Sequence, residues 1–222
     1  MTDVTTSDRP QTTTSLDGGA VASIAGEATQ EDALRANIYG LLARMLTEPP
    51  SEETLSIVRA LNDADDGTEI GKVLANLGAM AIRTPLGKAE EEYTSLFFGV
   101  GAGGEIHPYA SYYLTGAIYE KPLADLRDDL SEIGIAPSGH NKEPEDHIAF
   151  LCEVMHGLIT GAFGTDQDAA RQHSFFQRHI APWAGLMFTD LEAAESAALY
   201  MPLGALGRLF FAVEAEAFEM AA

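Results

Sequence analysis

The chain has 222 residues, and 46% of them are apolar, which is enough for one globular domain with a substantial core. Its 13 basic and 34 acidic side chains give a net charge of −21, which disfavours nucleic acid and anionic lipid as partners and favours a basic one. The single cysteine, Cys152, excludes an internal disulfide and a multi-cysteine metal site.

The sequence carries no sign of a membrane span or a secretion signal. No apolar run approaches the roughly 20 residues that cross a bilayer. The first residues lack the basic stretch followed by an apolar one that is typical of a signal peptide. We therefore expect a cytoplasmic protein without stable membrane insertion. Its acidity has a second explanation, because a net charge far from zero also keeps a protein soluble.

The predicted elements begin after residues 1–28, which are rich in Thr, Ser, Asp and Gly and are expected to form a disordered tail. Thr29, followed three residues later by Asp32, is typical of a helix N-cap. Apolar residues then recur at helical spacing, with turn signals between the stretches. The predicted helices lie at about residues 34–46, 51–61, 70–80, 90–98, 123–133, 144–159, 166–183, 189–194 and 203–218.

Single residues set several of the predicted boundaries. Ser51, directly after the Pro49-Pro50 pair, predicts the N-cap of the second helix. Gly134 predicts the end of the helix at 123–133, since glycine tolerates the left-handed conformation of a helix C-terminus. Thr189 or Asp190 predicts the cap of the short helix that follows.

The fold class follows from the absence of any sustained alternation of polar and apolar residues, which a half-buried strand requires. We predict an all-α fold, a single globular helical domain of about nine to eleven helices over residues 29–222. A hinge loop at 135–141 is expected to join the sub-parts 29–134 and 142–222.

The run Glu143-Pro144-Glu145-Asp146-His147 opens the most distinctive predicted helix. Proline suits the first turn of a helix, and the helix dipole favours three carboxylates there. One interpretation is a well-capped helix and nothing more. The other is a donor–acceptor pair, Asp146 and His147, that faces a cleft and binds a cationic group of a peptide.

The aromatic stretch before the glycine-rich loop has two interpretations as well. Phe97 and Phe98 are consecutive and, together with Tyr93 and Leu96, cover more than one face of a helix. At least one of these side chains is expected in the core. The excess apolar surface is typical of a groove that accepts an apolar helix of a partner.

Other kinds of site find little support. The glycines at 99–104 follow a predicted helix and precede Pro108, whereas a nucleotide-binding loop follows a strand and opens a helix. The histidines lack metal-binding spacing, and no serine lies in a nucleophile elbow. Cys152 lies within an apolar helix and is expected to be buried and inert. We therefore predict no catalytic residue, no metal and no cofactor.

The motifs together resemble a known family. Glu143, Pro144, Asp146 and His147, then seven residues and Met155, match the pattern Glu-Pro-x-Asp-His-x7-Met of the TorD-like redox-enzyme maturation chaperones, which include the DmsD and NarJ branches. Weaker motifs of the family follow the same order along the chain. They are Tyr39, Leu42, Ala43, Pro49 and Pro50; Tyr93, Leu96 and Phe97; Gly99, Pro108, Ser111 and Tyr113; and Phe175, His179, Pro182 and Trp183.

The resemblance implies an all-helical cytoplasmic chaperone, not an enzyme. It would bind the twin-arginine signal peptide and the catalytic subunit of a molybdopterin oxidoreductase until the cofactor is loaded. Asp146 and Glu143 would pair with the arginines, and His147 would form a hydrogen bond at the helix mouth. The peptide-binding residues implied are Glu143, Pro144, Asp146, His147, Tyr93, Leu96, Phe97, Pro108, Ser111 and Tyr113.

Two alternatives remain open at this point. One is a NarJ-type assembly factor, which binds a folded, non-exported subunit and ignores signal peptides. The other is a weak nucleotide-binding enzyme, because some relatives are associated with guanine nucleotides, although the chain has no phosphate-binding loop. The protein is expected to be a monomer, or a dimer formed by exchange of helices through the loop at 135–141.

Overall fold

The computed structural model describes residues 29–99, 103–135, 143–163 and 168–221. Within these ranges the chain forms ten α-helices, one short 3-10 helix at Ala60–Asp63 and no strand, so the prediction of an all-α fold is confirmed. The helices are α1 Gln30–Thr47, α2 Glu52–Arg59, α3 Glu69–Arg83, α4 Leu86–Phe97, α5 Ala110–Thr115, α6 Lys121–Glu132, α7 Ile148–Thr160, α8 Ala169–His179, α9 Ala184–Ala193 and α10 Tyr200–Ala221. The predicted tail at 1–28 and the hinge loop from residue 136 onward lie outside the described residues.

Three predicted helix boundaries are confirmed by their caps. The Thr29 side chain accepts a hydrogen bond from the Asp32 backbone, and the Asp32 carboxylate accepts one in return, which forms a capping box. The Ser51 hydroxyl caps α2 by accepting a hydrogen bond from the Thr54 backbone N–H. Gly134, with a φ of 74°, follows the end of α6 in the left-handed conformation.

The core forms where α1 packs against α7 and where α10 packs against α9 and α3. A partly buried ion pair ties α1 to α10, since Arg35 donates hydrogen bonds of 2.6 and 2.9 Å to the Glu214 carboxylate. The Tyr39 hydroxyl donates a third hydrogen bond, of 2.9 Å, to the same carboxylate. These contacts fix α1, and therefore its C-terminal end, relative to the rest of the bundle.

The prediction that α7 opens at Pro144 is wrong, because the helix begins at Ile148 and its N-cap is His147. Residues 143–147, which we call the signature segment, form a turn and an antiparallel bridge to Tyr109 instead. The Ile148 backbone N–H donates to the Pro108 carbonyl at 2.9 Å, and a second hydrogen bond joins the Ala110 N–H to the Asp146 carbonyl at 3.0 Å. This long-range pairing takes the place of the predicted first helical turn. The first turn of α7 that is observed therefore contains no carboxylate.

The predicted boundaries around α8 and α9 also need correction. Asp168 caps α8, close to the expected start of the predicted helix at 166–183, and the helix ends at His179 before an irregular turn that contains Pro182. The following helix starts at Ala184, well before Thr189. The Thr189 hydroxyl donates to the Gly185 carbonyl one turn earlier, so this threonine lies inside the helix and does not cap it.

Candidate functional site

The carboxylate of Asp146 holds the signature segment against α5. Its Oδ2 accepts hydrogen bonds from the Ser111 backbone N–H at 2.8 Å and from the Ser111 hydroxyl at 2.5 Å. It thereby satisfies a backbone donor in the first turn of α5, whose own N-cap provides no side-chain hydrogen bond. Asp146 therefore caps a helix other than the one that follows it.

The second oxygen of Asp146, Oδ1, has no hydrogen-bond partner among the described residues and is sealed from solvent. The residue is only 1% exposed, and it borders a cavity of about 190 Å³ next to Leu114, Arg178 and His179. In this conformation, Asp146 is therefore not placed for direct pairing with an arginine on the surface. The sequence alone could not show this, because the partner Ser111 lies on another helix.

His147 is 6% exposed and caps α7 through its ring. Its Nδ1 accepts a hydrogen bond of 3.1 Å from the Ala149 backbone N–H, so the neutral ring carries its proton on Nε2. Burial lowers the pKa of His147 to about 4, which keeps the ring uncharged at neutral pH. The ring packs edge-on against Tyr109, with the ring centroids 5.2 Å apart.

The two glutamates of the signature segment have different surroundings. Glu143 accepts a hydrogen bond of 2.5 Å from the Tyr109 hydroxyl. Burial, together with this hydrogen bond, raises the pKa of Tyr109 well above its ordinary range, so the hydroxyl stays a donor. Glu145 is instead paired with Arg127 of α6 at 2.6 Å. Only Glu143 faces the cavity described next.

A cavity of about 350 Å³, which we call the signature cavity, lies between the signature segment, α7 and the end of α1. The signature residues that border it are Glu143, Pro144 and His147. Glu48 and Glu153 border it from the other helices, and no lysine or arginine is among its lining residues. The cavity is therefore suited to a cationic group that donates hydrogen bonds.

The aromatic residues divide between the core and this cavity. Tyr93 and Leu96 are almost fully buried, and the Tyr93 hydroxyl donates to the Leu46 carbonyl at 3.1 Å. Phe97 is half-buried beside Tyr93, with ring centroids 4.8 Å apart. Phe98 is 56% exposed and borders the cavity. Tyr93 and Leu96 thus pack in the core beneath the aromatic surface, and the exposed ring of Phe98 forms the part of that surface that borders the cavity.

The other predicted binding residues are structural in this conformation. Pro108 and Ser111 are buried and pair with the signature segment as described above. The Tyr113 hydroxyl donates to Asp190 at 2.8 Å, and the ring lies 5.6 Å from Trp183. None of the three borders the signature cavity.

Sequence reasoning missed Glu48, Phe150 and Glu153 and left Phe98 out of the predicted site. The pair of consecutive phenylalanines was a usable signal for Phe98, because a helix in the core rarely buries both. Glu153 also carried a signal, since it is the one charged residue within the apolar helix α7. Glu48 becomes a site residue only through the packing of α1 on α7, which no local pattern shows.

The described residues offer little for metal or thiol chemistry. No group of three His, Cys, Asp or Glu side chains within them is arranged to hold a metal ion. Cys152 is fully buried, as predicted, and burial raises the pKa of its thiol far above the ordinary range, which disfavours the reactive thiolate. Gly104 packs against the end of α4, where an added Cβ would lie 2.4 Å from the Leu96 carbonyl oxygen.

Comparison with known proteins decides the family. The model of the family described as "Nitrate reductase delta subunit" matches residues 63–189, more than half of the chain. The chain belongs to this family. Curated relatives of this delta-subunit family member are chaperone proteins TorD, so the resemblance to TorD-like maturation chaperones is confirmed.

The TorD relatives are distant. The protein from Vibrio atlanticus is 27% identical over 100 residues, which is 41% of this chain and 46% of the relative. The protein from Aliivibrio salmonicida is 25% identical over 169 residues, 68% of this chain and 78% of the relative. The chain thus spans about half the length of the first of these relatives. Both carry chaperone names, a non-enzymatic role that agrees with the expectation that the chain is not an enzyme.

A solved structure supports the fold. The crystal structure of a candidate redox enzyme maturation protein from Archaeoglobus fulgidus superposes with a TM-score of 0.53 at 20% identity. The match covers 86% of this chain and 99% of that protein. No helix in the described part of this family member is long and apolar enough to cross a bilayer.

Proposed function

We propose that the protein is a cytoplasmic maturation chaperone for a molybdenum-cofactor oxidoreductase and binds the twin-arginine signal peptide of the enzyme's catalytic subunit. The family and the chaperone relatives support the general role. The observation that carries the peptide site is the signature cavity, where three glutamates and no lysine or arginine surround an open volume. Such a cavity favours guanidinium groups, which form paired hydrogen bonds with carboxylates.

The chemistry of binding follows from which groups are free in the cavity. The Glu143 carboxylate accepts hydrogen bonds from an arginine guanidinium group, and Glu48 and Glu153 lie on the opposite wall of the cavity. His147 donates its Nε2–H to a main-chain carbonyl of the peptide, because that nitrogen has no acceptor among the described residues. The exposed ring of Phe98 packs against the apolar residues that follow the arginines.

The remaining signature residues act indirectly. Asp146 and Ser111 hold the segment against α5, and the Pro108 carbonyl pairs with the first turn of α7. Tyr93 and Leu96 support the aromatic wall from the core. A rigid frame of this kind lowers the cost of ordering the site when the peptide binds.

Calorimetric titration of a twin-arginine signal peptide tests the proposal. The wild-type protein should bind it in a salt-sensitive manner, and replacing both arginines with alanine should weaken binding by roughly a hundredfold, at about 1.4 kcal/mol per arginine. A peptide with two lysines should fall in between, because lysine keeps the charge and loses the paired hydrogen bonds. Equal affinity for all three peptides contradicts the proposal.

A second candidate is an assembly factor that binds a folded enzyme subunit and not a signal peptide. The description of the matching family as nitrate reductase delta subunit favours it. Co-purification with a client that lacks its leader separates the two. Undiminished capture of the leaderless client, combined with no binding of the isolated peptide, supports this second role.

A further inference from the structure

A second cavity, of about 500 Å³, adjoins the signature cavity, and no residue of the signature segment lines it. We call it the adjoining cavity. It lies between α1, α2 and α7, and it shares Thr47, Glu48 and Glu153 with the signature cavity. The two cavities are therefore neighbours, with Glu48 and Glu153 at their common border.

The charges along the adjoining cavity are mostly negative. Glu48, Glu53 and Glu153 line it, and Arg44 is the single lysine or arginine among its lining residues. Arg44 lies 3.5 Å from Glu53, and both side chains are largely exposed, so this pair is weak. Neither Glu48 nor Glu153 has an ion-pair partner or a side-chain hydrogen bond within the described residues that could neutralise its charge.

One histidine borders each cavity, His147 the signature cavity and His156 the adjoining cavity. His147 is 6% exposed, and its Nε2 makes no hydrogen bond among the described residues. His147 borders the signature cavity, which offers space for an acceptor of this N–H. His156 Nδ1 lies 2.8 Å from the Ala36 carbonyl oxygen and must therefore be the donor, because a carbonyl only accepts.

The ligand implied has an acceptor for His147 and donors for the glutamates. A main-chain carbonyl and a cationic side chain provide both, and a polypeptide carries them next to each other. Glu153, whose side chain is exposed at the border of both cavities, supports this assignment, because partial desolvation of its carboxyl raises its pKa and a bound cation would remove that cost.

We propose that the adjoining cavity is a second cation subsite, which holds a lysine or arginine side chain that flanks the arginine pair of a bound peptide. This inference rests on the proposed function, since it places the pair at Glu143. The second subsite would let the protein discriminate among signal peptides by affinity, because peptides with a flanking basic residue occupy both cavities.

The test compares a peptide that carries the arginine pair alone with two versions that have one added lysine, either before or after the pair. One of the two lysine peptides should bind wild-type protein roughly fivefold tighter at low salt. Glu153→Gln should reduce this gain to less than about twofold. Arg44→Gln should enlarge the gain, because it removes the competing cation, and general damage to the fold cannot raise affinity.

Glu69→Gln is the matched control, since Glu69 is an exposed glutamate on α3 that pairs with Lys72 away from both cavities. It removes the same charge and should leave the gain unchanged. The inference is overturned if neither lysine peptide binds tighter, or if Glu153→Gln and Glu69→Gln reduce the gain equally. Failure of the proposed function has a different outcome, in which the pair-only peptide binds no better than its alanine version.

Discussion

The buried, neutral state of His147 makes the stability of the fold depend on pH in a defined direction. Burial lowers its pKa from 6.5 to about 4 in the folded protein, while the unfolded chain keeps the ordinary value. Below pH 6.5 the unfolded state binds a proton that the folded state does not. The contribution of the neutral His147 ring to the free energy of unfolding is therefore complete at neutral pH and is lost as the pH falls toward 4.

The size of the effect follows from the two pKa values. At 1.36 kcal/mol for each pKa unit, the full loss is about 3 kcal/mol, and about 2 kcal/mol of it falls between about pH 7.5 and about pH 5. His147→Asn is the informative variant. Asparagine keeps an acceptor for the Ala149 N–H at the cap of α7 but does not titrate.

Urea unfolding at the two pH values measures the difference. Carboxylates titrate in both proteins, so the comparison is between the pH-dependent losses of the wild type and the variant. We expect the wild type to lose about 2 kcal/mol more than His147→Asn over this interval. Equal losses would show that His147 is not held neutral by burial, and the assignment of its Nδ1 as the acceptor for the Ala149 N–H would fail with it.

Three further variants test the contacts that position the site, each by urea unfolding at neutral pH. Asp146→Ala should cost about 2–3 kcal/mol, because α5 loses its charged cap, whereas Asp146→Asn should cost less than half as much; equal costs would contradict this. Glu214→Gln should cost about 2 kcal/mol, because Arg35 loses its charged partner on α10 and keeps only Asp32 and Gln172, and a negligible change would refute it. Gly204→Ala should cost about 1–3 kcal/mol, since its Cβ would lie 2.5 Å from the Glu192 nitrogen, and a stabilised variant would contradict that close packing.

The sequence predicted those parts of the fold that depend on local chemistry. Thr29 and Ser51 cap their helices as expected, because the hydroxyl and its backbone donor lie within the same turn. Gly134 ends α6 for an equally local reason. The start of α7 was mispredicted because the Pro108 and Ala110 backbone groups, far away in the chain, compete successfully for the hydrogen bonds of the signature segment.

The same distinction applies to the candidate site. The family motif directed attention to Glu143 and His147, and both border the signature cavity. It gave no means of seeing that Asp146 is engaged with Ser111, since that contact spans 35 residues. Glu48 and Glu153 come together only through the packing of α1 on α7, so they became candidates only with the structure.

The central claim, that the signature cavity binds the arginine pair, is tested most directly by replacing the two glutamates of the signature segment with glutamine, one at a time. Glu143→Gln keeps the acceptor for Tyr109 but removes the charge that faces the cavity, whereas Glu145 is paired with Arg127 outside it. Titration of the twin-arginine peptide should show roughly tenfold weaker binding to Glu143→Gln and less than about twofold weaker binding to Glu145→Gln. Equal affinities of the two variants would contradict the account.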